Sequence, residues 1–191
     1  MSRGQVYSPA LYPSATRIWR KCGYGEVFQL DVMERSVRAN RQLPKTKVAE
    51  TEKPNWDTII EIDKAAFDGF WRMGRHGLEE ALTSTSRSVV LTAGDAEVVG
   101  YAIVGAQWNV SYLQRIAVHP RHTGERIGSD LVKEALAWAR RAASQTMVLN
   151  VRKENTRARR LYSKEGFTET GTALRILRFD SYDTRPDGLG H

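Results

Sequence analysis

Residues 112–167 read YLQRIAVHPRHTGERIGSDLVKEALAWARRAASQTMVLNVRKENTRARRLYSKEGF, and the order of features in this run decides the fold. An apolar strand enters a turn at Gly124, and a long amphipathic segment, a second apolar strand and a short helix closed by Gly166 follow. That is a β-loop-α-β-α unit. Apolar residues recur at Ile127, Leu131, Ala135, Trp138 and Ala139, one buried stripe of ~100° on a helix over 127–142, with Lys133 and Glu134 off it. The stretch 147–151 is short and apolar, as a buried parallel strand requires. The loop between Val118 and Ile127 brings the backbone N–H groups of residues 123–129 and the positive end of the helix to one place. An anion fits there, and a diphosphate fits best.

The strand over 111–118 breaks strict alternation, since its apolar positions Leu113, Ile116 and Val118 are spaced three and then two apart. A β-bulge near Gln114 and Arg115 would return both ends to the same face, and bulges re-aim backbone groups beside sites.

The order of residues resembles the GCN5-related N-acetyltransferase (GNAT) superfamily. A strand ending in Val-x-Pro and running through a Gly-rich turn into a helix is met by Val118, Pro120, Gly124, Ile127, Gly128 and Leu131. A second signature, Asn-x-x-Ala-x-x-x-Tyr-x-x-x-Gly-Phe, is matched in full by Asn155, Ala158, Tyr162, Gly166 and Phe167. The resemblance implies an α/β fold: a mixed, mostly antiparallel sheet of six to seven strands with a splayed parallel pair and about four helices. It implies acetyl-CoA as acyl donor, its pantetheine arm against the backbone of Ile116, Ala117 and Val118. Its diphosphate would lie on Thr123, Gly124, Glu125, Arg126, Ile127, Gly128 and Ser129. Asn155 would contact the pantetheine amide or cap the last helix. A backbone N–H near Ala117 or Val118 would hold the oxyanion, and Tyr162 would protonate the departing thiolate, a phenol near ~10 being protonated at neutral pH. The competing role for Tyr162 is a core tyrosine. The turn departs from the family pattern, with Thr123 where Arg or Gln is usual and Arg126 where Gly or Ala is usual. Weaker cofactor binding is therefore expected unless Arg121 and Arg126 take phosphate contacts.

A general base is the missing part. Some relatives in the superfamily carry a carboxylate where this chain has Asn150, and an amide accepts no proton. Water, Asp68, Glu26 or His119 remain as alternatives.

Outward from the unit, residues 54–72 place Trp56, Ile59, Ile60, Ala66, Phe67 and Phe70 near helical spacing, and a second short helix begins at Gly77. The resemblance puts this pair over the acceptor side. Phe70, Trp71 and Arg72, with Tyr112 and Gln114 on the strand, are therefore the acceptor candidates, core packing being the alternative for the aromatics. Residues 88–92 and 98–106 flank a Gly94 turn as a hairpin. Residues 1–15 read as a loose arm, 17–32 as two strands around Gly23-Tyr24-Gly25, and 34–53 as a linker. Two closing strands, 167–170 and 174–179, would form a final hairpin. Domain bounds follow: an arm, hairpin and linker over 1–53, the catalytic domain over 54–180, and a frayed tail over 181–191.

The 191 residues, 41% hydrophobic, suit one packed core. No run approaches the ~18 apolar residues of a membrane span, and a signal peptide is not apparent, so a cytoplasmic location is expected. The lone Cys22 reads as reduced. The net charge is +7, with 10 basic against 5 acidic side chains over 1–53, 5 against 8 over 54–120 and 14 against 9 over 121–191. The last excess coincides with the anion site. Nucleic-acid binding rests on charge alone, without a stacking module or recognition helix, and is not expected. His119 and His122 lack a third ligand, so no metal is expected. The expected activity is acetyl transfer from acetyl-CoA to a primary amine of a small molecule or protein, by direct attack. The alternative is an acyl-CoA-binding module without efficient turnover. Pairing of two subunits is compatible with the resemblance.

Overall fold

The computed structural model describes residues 4–38 and 44–181. The tail from 182 lies outside them. Fifteen elements follow one another in the described residues: β1 (Gly4–Ala10), α1 (Pro13–Lys21), β2 (Gly25–Ser36), β3 (Val48–Thr51), α2 (Trp56–Ala66), a 3₁₀ turn at Gly69–Trp71, α3 (Arg75–Thr83), β4 (Arg87–Ala93), β5 (Gly100–Gln107), β6 (Val110–Val118), a 3₁₀ turn at Pro120–His122, α4 (Ile127–Arg141), β7 (Thr146–Arg152), α5 (Thr156–Lys164) and β8 (Thr168–Ser181). The strands form one sheet in the order β1-β8-β2-β7-β6-β5-β4-β3. Every neighbouring pair is antiparallel except β6 and β7.

The sheet is covered on both faces. α4 buries its whole apolar stripe, Ile127, Leu131, Ala135, Trp138 and Ala139, against Leu91, Ala102, Val104, Leu113 and Leu149. Tyr162 and Phe167 join that cluster. On the other face α2 and α3 press Ile59, Ile62 and Leu78 onto Val90, Tyr101, Ile103 and Ala117. Asn55 starts α2 and Asn155 starts α5, each side chain accepting an N–H three residues on. Gly166 then leaves α5 at φ +82°, the left-handed turn-off its place in the sequence predicts.

Four expectations give way. Residues 4–10 form β1 rather than a loose arm, paired along its length with β8. Residues 13–21 are helical because Pro13 starts a helix well and basic residues suit its last turn. Gly23, at φ +85°, therefore turns a helix into a strand rather than a strand into a strand. The expected closing hairpin is one strand, β8. Its partner β2 is 12 residues long and pairs with both halves, so the surplus at 170–172 is absorbed as a register shift between Asp31 and Met33, with Gly171 at φ +75°. These strands bring the sheet to eight. Of the expected linker, residues 48–51 become β3, and Thr46 N–H donates to the buried Asp130 carboxylate of α4 at 2.8 Å.

Candidate active site

The site begins with a break in sheet pairing. β6 and β7 run together only from Val110 to Leu113 and from Thr146 to Leu149. Beyond Leu113 the strands part. The cause is the bulge read from the sequence: β5 pairs Ile103 with Arg115 but Val104 with Leu113, which leaves Gln114 as the extra residue. Leu113, Ile116 and Val118 then all meet the α4 side, while Arg115 and Ala117 face α2.

Backbone alternation settles which groups face the opening. His119 N–H donates to Val99 carbonyl at 2.8 Å. In an antiparallel ladder the mutually bonded pairs recur every second residue, so Ala117 and Tyr101 bond each other. Ile116 and Val118 turn their N–H and C=O groups to the open side. Ala117, expected among the backbone donors, is therefore engaged by β5.

The loop into α4 supplies the second part. The N–H groups of Gly124, Glu125, Arg126, Ile127, Gly128 and Ser129 have no acceptor among the described residues, and intrahelical bonding begins with Asp130 donating to Arg126 at 3.0 Å. Thr123, expected in this set, donates instead to Pro120 at 3.2 Å. A Cβ at Gly124 would meet nothing within 4 Å, so an anion has clear approach. Arg126 caps the helix at φ +66°, a left-handed conformation that costs a non-glycine residue about 1 kcal/mol or more. Its side chain and that of Arg121 are exposed and make no ion pair among the described residues. Glu125 is turned to His122 at 3.1 Å. A diphosphate fits this cradle: free amides, a helix N-terminus and two unpaired guanidinium groups.

Tyr162, on α5, is 6% exposed and lies against Phe167 with ring centroids 5.9 Å apart. Its hydroxyl has no hydrogen-bond partner among the described residues. Burial pushes the phenol up to about 12, and the Arg115 charge pulls the other way. Asn155 spends Oδ1 on Ala158 N–H at 3.0 Å, which leaves its amide N–H groups for another partner.

On the α2 face a cavity of about 410 Å³ opens beside the parting strands, lined by Ser84, Thr85, Gln107, Tyr112, Leu113, Gln114, Val148, Leu149 and Asn150. It contains the expected Tyr112 and Gln114 but not Phe70, Trp71 or Arg72, and no carboxylate or imidazole. Glu26, one candidate base, is held by Arg20 and Arg175. Arg72 closes on Phe67 carbonyl at 2.9 Å. Phe70 and Trp71 belong to an aromatic cluster with Tyr7 and Phe28, all four rings linked at centroid distances of 4.6–5.1 Å.

A buried polar network was missed from sequence. Asp63 of α2 is fully buried; it accepts from Tyr101 hydroxyl at 2.6 Å, Arg115 at 2.7 Å and Met73 N–H at 2.8 Å. Arg115 also donates to Trp71 carbonyl at 2.7 Å and stacks on Phe67 at 3.6 Å. A charged residue inside the apolar run LQRIAV was the available signal.

Tyr101 is raised further than Tyr162, first by burial and then by the Asp63 bond and charge. Both tyrosines keep their protons in the folded protein where the unfolded chain, near pKa ~10, loses them. The stability they hold is complete below pH 10 and is lost as pH rises. Unfolding free energy is therefore expected to fall above pH 10 by up to about 1.4 kcal/mol per pH unit for each tyrosine. Urea unfolding at pH 9, 10 and 11 checks this, and a slope unchanged in Tyr101→Phe and Tyr162→Phe would contradict it.

A sequence model described as "Acetyltransferase (GNAT) family" matches residues 56–167. An uncharacterized N-acetyltransferase of Mycobacterium tuberculosis (strain ATCC 25618 / H37Rv) is 32% identical over 95 residues, 49% of this chain and 60% of that protein. The chain thus spans about three fifths of the length of the curated relatives it first matches. Among solved structures, the ribosomal-protein-S18-alanine N-acetyltransferase from Escherichia coli superposes with a TM-score of 0.60 at 16% identity, covering 73% of this chain and 97% of that one. The structure of yncA from Salmonella typhimurium with its cofactor acetyl-CoA gives 0.55 at 22% identity, covering 75% and 99%. Both share the fold.

Proposed function

The chain belongs to the GNAT acetyltransferase family, and on that premise we propose that it transfers an acetyl group from acetyl-CoA to a primary amine of a small molecule or protein by direct attack. The observation that supports this reading is the parting of β6 from β7 beside six loop amides without an acceptor among the described residues, with Tyr162 buried in the same α4-side cluster as Ile116 and Val118.

The substrate's diphosphate rests on residues 124–129, with Arg121 and Arg126 beside it, and its pantetheine arm enters between β6 and β7 to pair with Ile116 and Val118. One of those two N–H groups lies on the thioester carbonyl and takes the oxyanion, a contribution of a few kcal/mol in a dry site. The amine enters from the α2 face, through the cavity of Tyr112, Gln114 and Asn150. Its nitrogen attacks the carbonyl carbon, the C–N bond forms and the C–S bond breaks. The sulfur takes the Tyr162 proton as it leaves. The amine's surplus proton departs through water held by the polar cavity, and Tyr162 is reprotonated from the same source.

Thr123 and Arg126 favour a second reading, binding of an acyl-CoA without efficient turnover. One experiment separates them. Acetyl-CoA at 100 times its dissociation constant should stabilise the fold by about 2.7 kcal/mol, and a panel of amines should release free thiol. Stabilisation without thiol release leaves the binding module, and the absence of both removes the cofactor reading. No helix among the described residues is long and apolar enough to cross a membrane, and a cytoplasmic place is part of the proposal.

A further inference from the structure

Trp71 touches both lips of the opening. Its carbonyl accepts from Arg115 of β6 at 2.7 Å, and its ring lies under the guanidinium of Arg152 of β7, 5.2 Å from the centroid. Those two arginines stand on diverging strands, past the last paired residues Leu113 and Leu149. Both project to the α2 face, Arg115 by its contact with Asp63 and Arg152 by alternation from Val148 and Asn150 of the cavity. Trp71 therefore bridges the gap, by its carbonyl to one lip and by its ring to the other, on the face away from α4.

It is also held still. Phe28 meets it edge-on at 5.0 Å and Phe70 at 5.1 Å, with Tyr7 packed behind Phe70 at 4.6 Å. Met73, two residues on, is tied through its N–H to Asp63 at 2.8 Å. A side chain so supported from β1, β2 and α2 does not swing aside to admit a longer group.

We propose that Trp71 sets the length of the acyl group, acting as the end wall that admits acetyl and rejects longer chains. This rests on the acyl-transfer reading above, since it needs a thioester lying along Ile116 and Val118. A two-carbon acyl group then ends within the gap. Each further methylene passes through it toward the α2 face and meets the indole, whose retreat is blocked by Phe28 and Phe70.

The test uses the full chain with coenzyme A, acetyl-CoA, butyryl-CoA and hexanoyl-CoA. Melting temperatures titrated with each ligand give affinities without turnover, and thiol release with an amine panel gives relative rates. The native protein should bind hexanoyl-CoA at least tenfold more weakly than acetyl-CoA. Trp71→Ala should bring the two within about threefold, with Trp71→Phe between them. Trp71→Leu serves the same comparison if the alanine variant does not fold. Equal binding of both thioesters by the native protein, or a ratio unmoved in every folded variant, overturns the proposal while acetyl-CoA binding leaves the function standing. If no thioester shifts the melting temperature, the acyl-transfer reading falls and this inference with it.

Discussion

Tyr162→Phe is expected to lower kcat at least about a hundredfold, the lower end of what a positioned proton donor contributes, while acetyl-CoA affinity and melting temperature stay close to those of the native protein. Phenylalanine keeps the ring that packs on Phe167 within the α4-side core. The hydroxyl has no partner among the described residues, so its removal breaks no hydrogen bond that holds the fold. On the proposed mechanism, what is lost is the proton for the departing thiolate. Because burial holds the phenol near 12, it is fully protonated at any working pH, and the defect should not be rescued between pH 6 and 9. Steady-state kinetics with thiol detection across that range measures it. A fall in kcat below threefold would show that Tyr162 serves packing only, and a matched rise in KM for acetyl-CoA would assign it to binding.

The parts of this site that local sequence reveals are those whose geometry is set by near neighbours. The α4 stripe, the Asn155 cap, the left-handed Gly166 and the bulge at Gln114 each depend on spacing within a few residues. The three-then-two spacing of Leu113, Ile116 and Val118 is enough to require an irregular strand. What the sequence hides is set by pairing across the chain. Residues 4–10 look irregular alone because β1 is an edge strand whose register comes from β8, some 170 residues away. Residues 17–21 read as strand beside the Gly23 turn, and their helical state shows only once Pro13 is seen to start α1. Thr123 and Ala117 carry backbone donors that the loop and the resemblance count as free, yet each is spent on a partner, Pro120 or Tyr101, which only the folded register identifies. The Asp63–Arg115 contact spans 52 positions and joins two elements that no motif connects.

Asp63→Ala should be the most damaging single change for folding, because that contact has no solvent to fall back on. Asp63 is fully buried and the Arg115 side chain 9% exposed. Removing the carboxylate strands a guanidinium in an apolar pocket and unties Tyr101 hydroxyl and Met73 N–H together. Breaking a buried pair from one side costs roughly 3–5 kcal/mol, most of it the desolvated charge left behind. The companion Arg115→Met fills the stacking place on Phe67 without a charge. In the double variant the stranded cation is gone, so the two losses should fall short of adding by at least about 1 kcal/mol. Urea unfolding of the native protein, both single variants and the double variant closes the cycle. The binding consequence follows the same wiring: the loop of Phe70 and Trp71 is anchored through Met73 N–H and Trp71 carbonyl, so both single variants should loosen the Trp71 wall and narrow the gap in affinity between acetyl-CoA and hexanoyl-CoA. Additive losses, or a cost for Asp63→Ala below about 1 kcal/mol, would mean that the network merely fills space beside the opening.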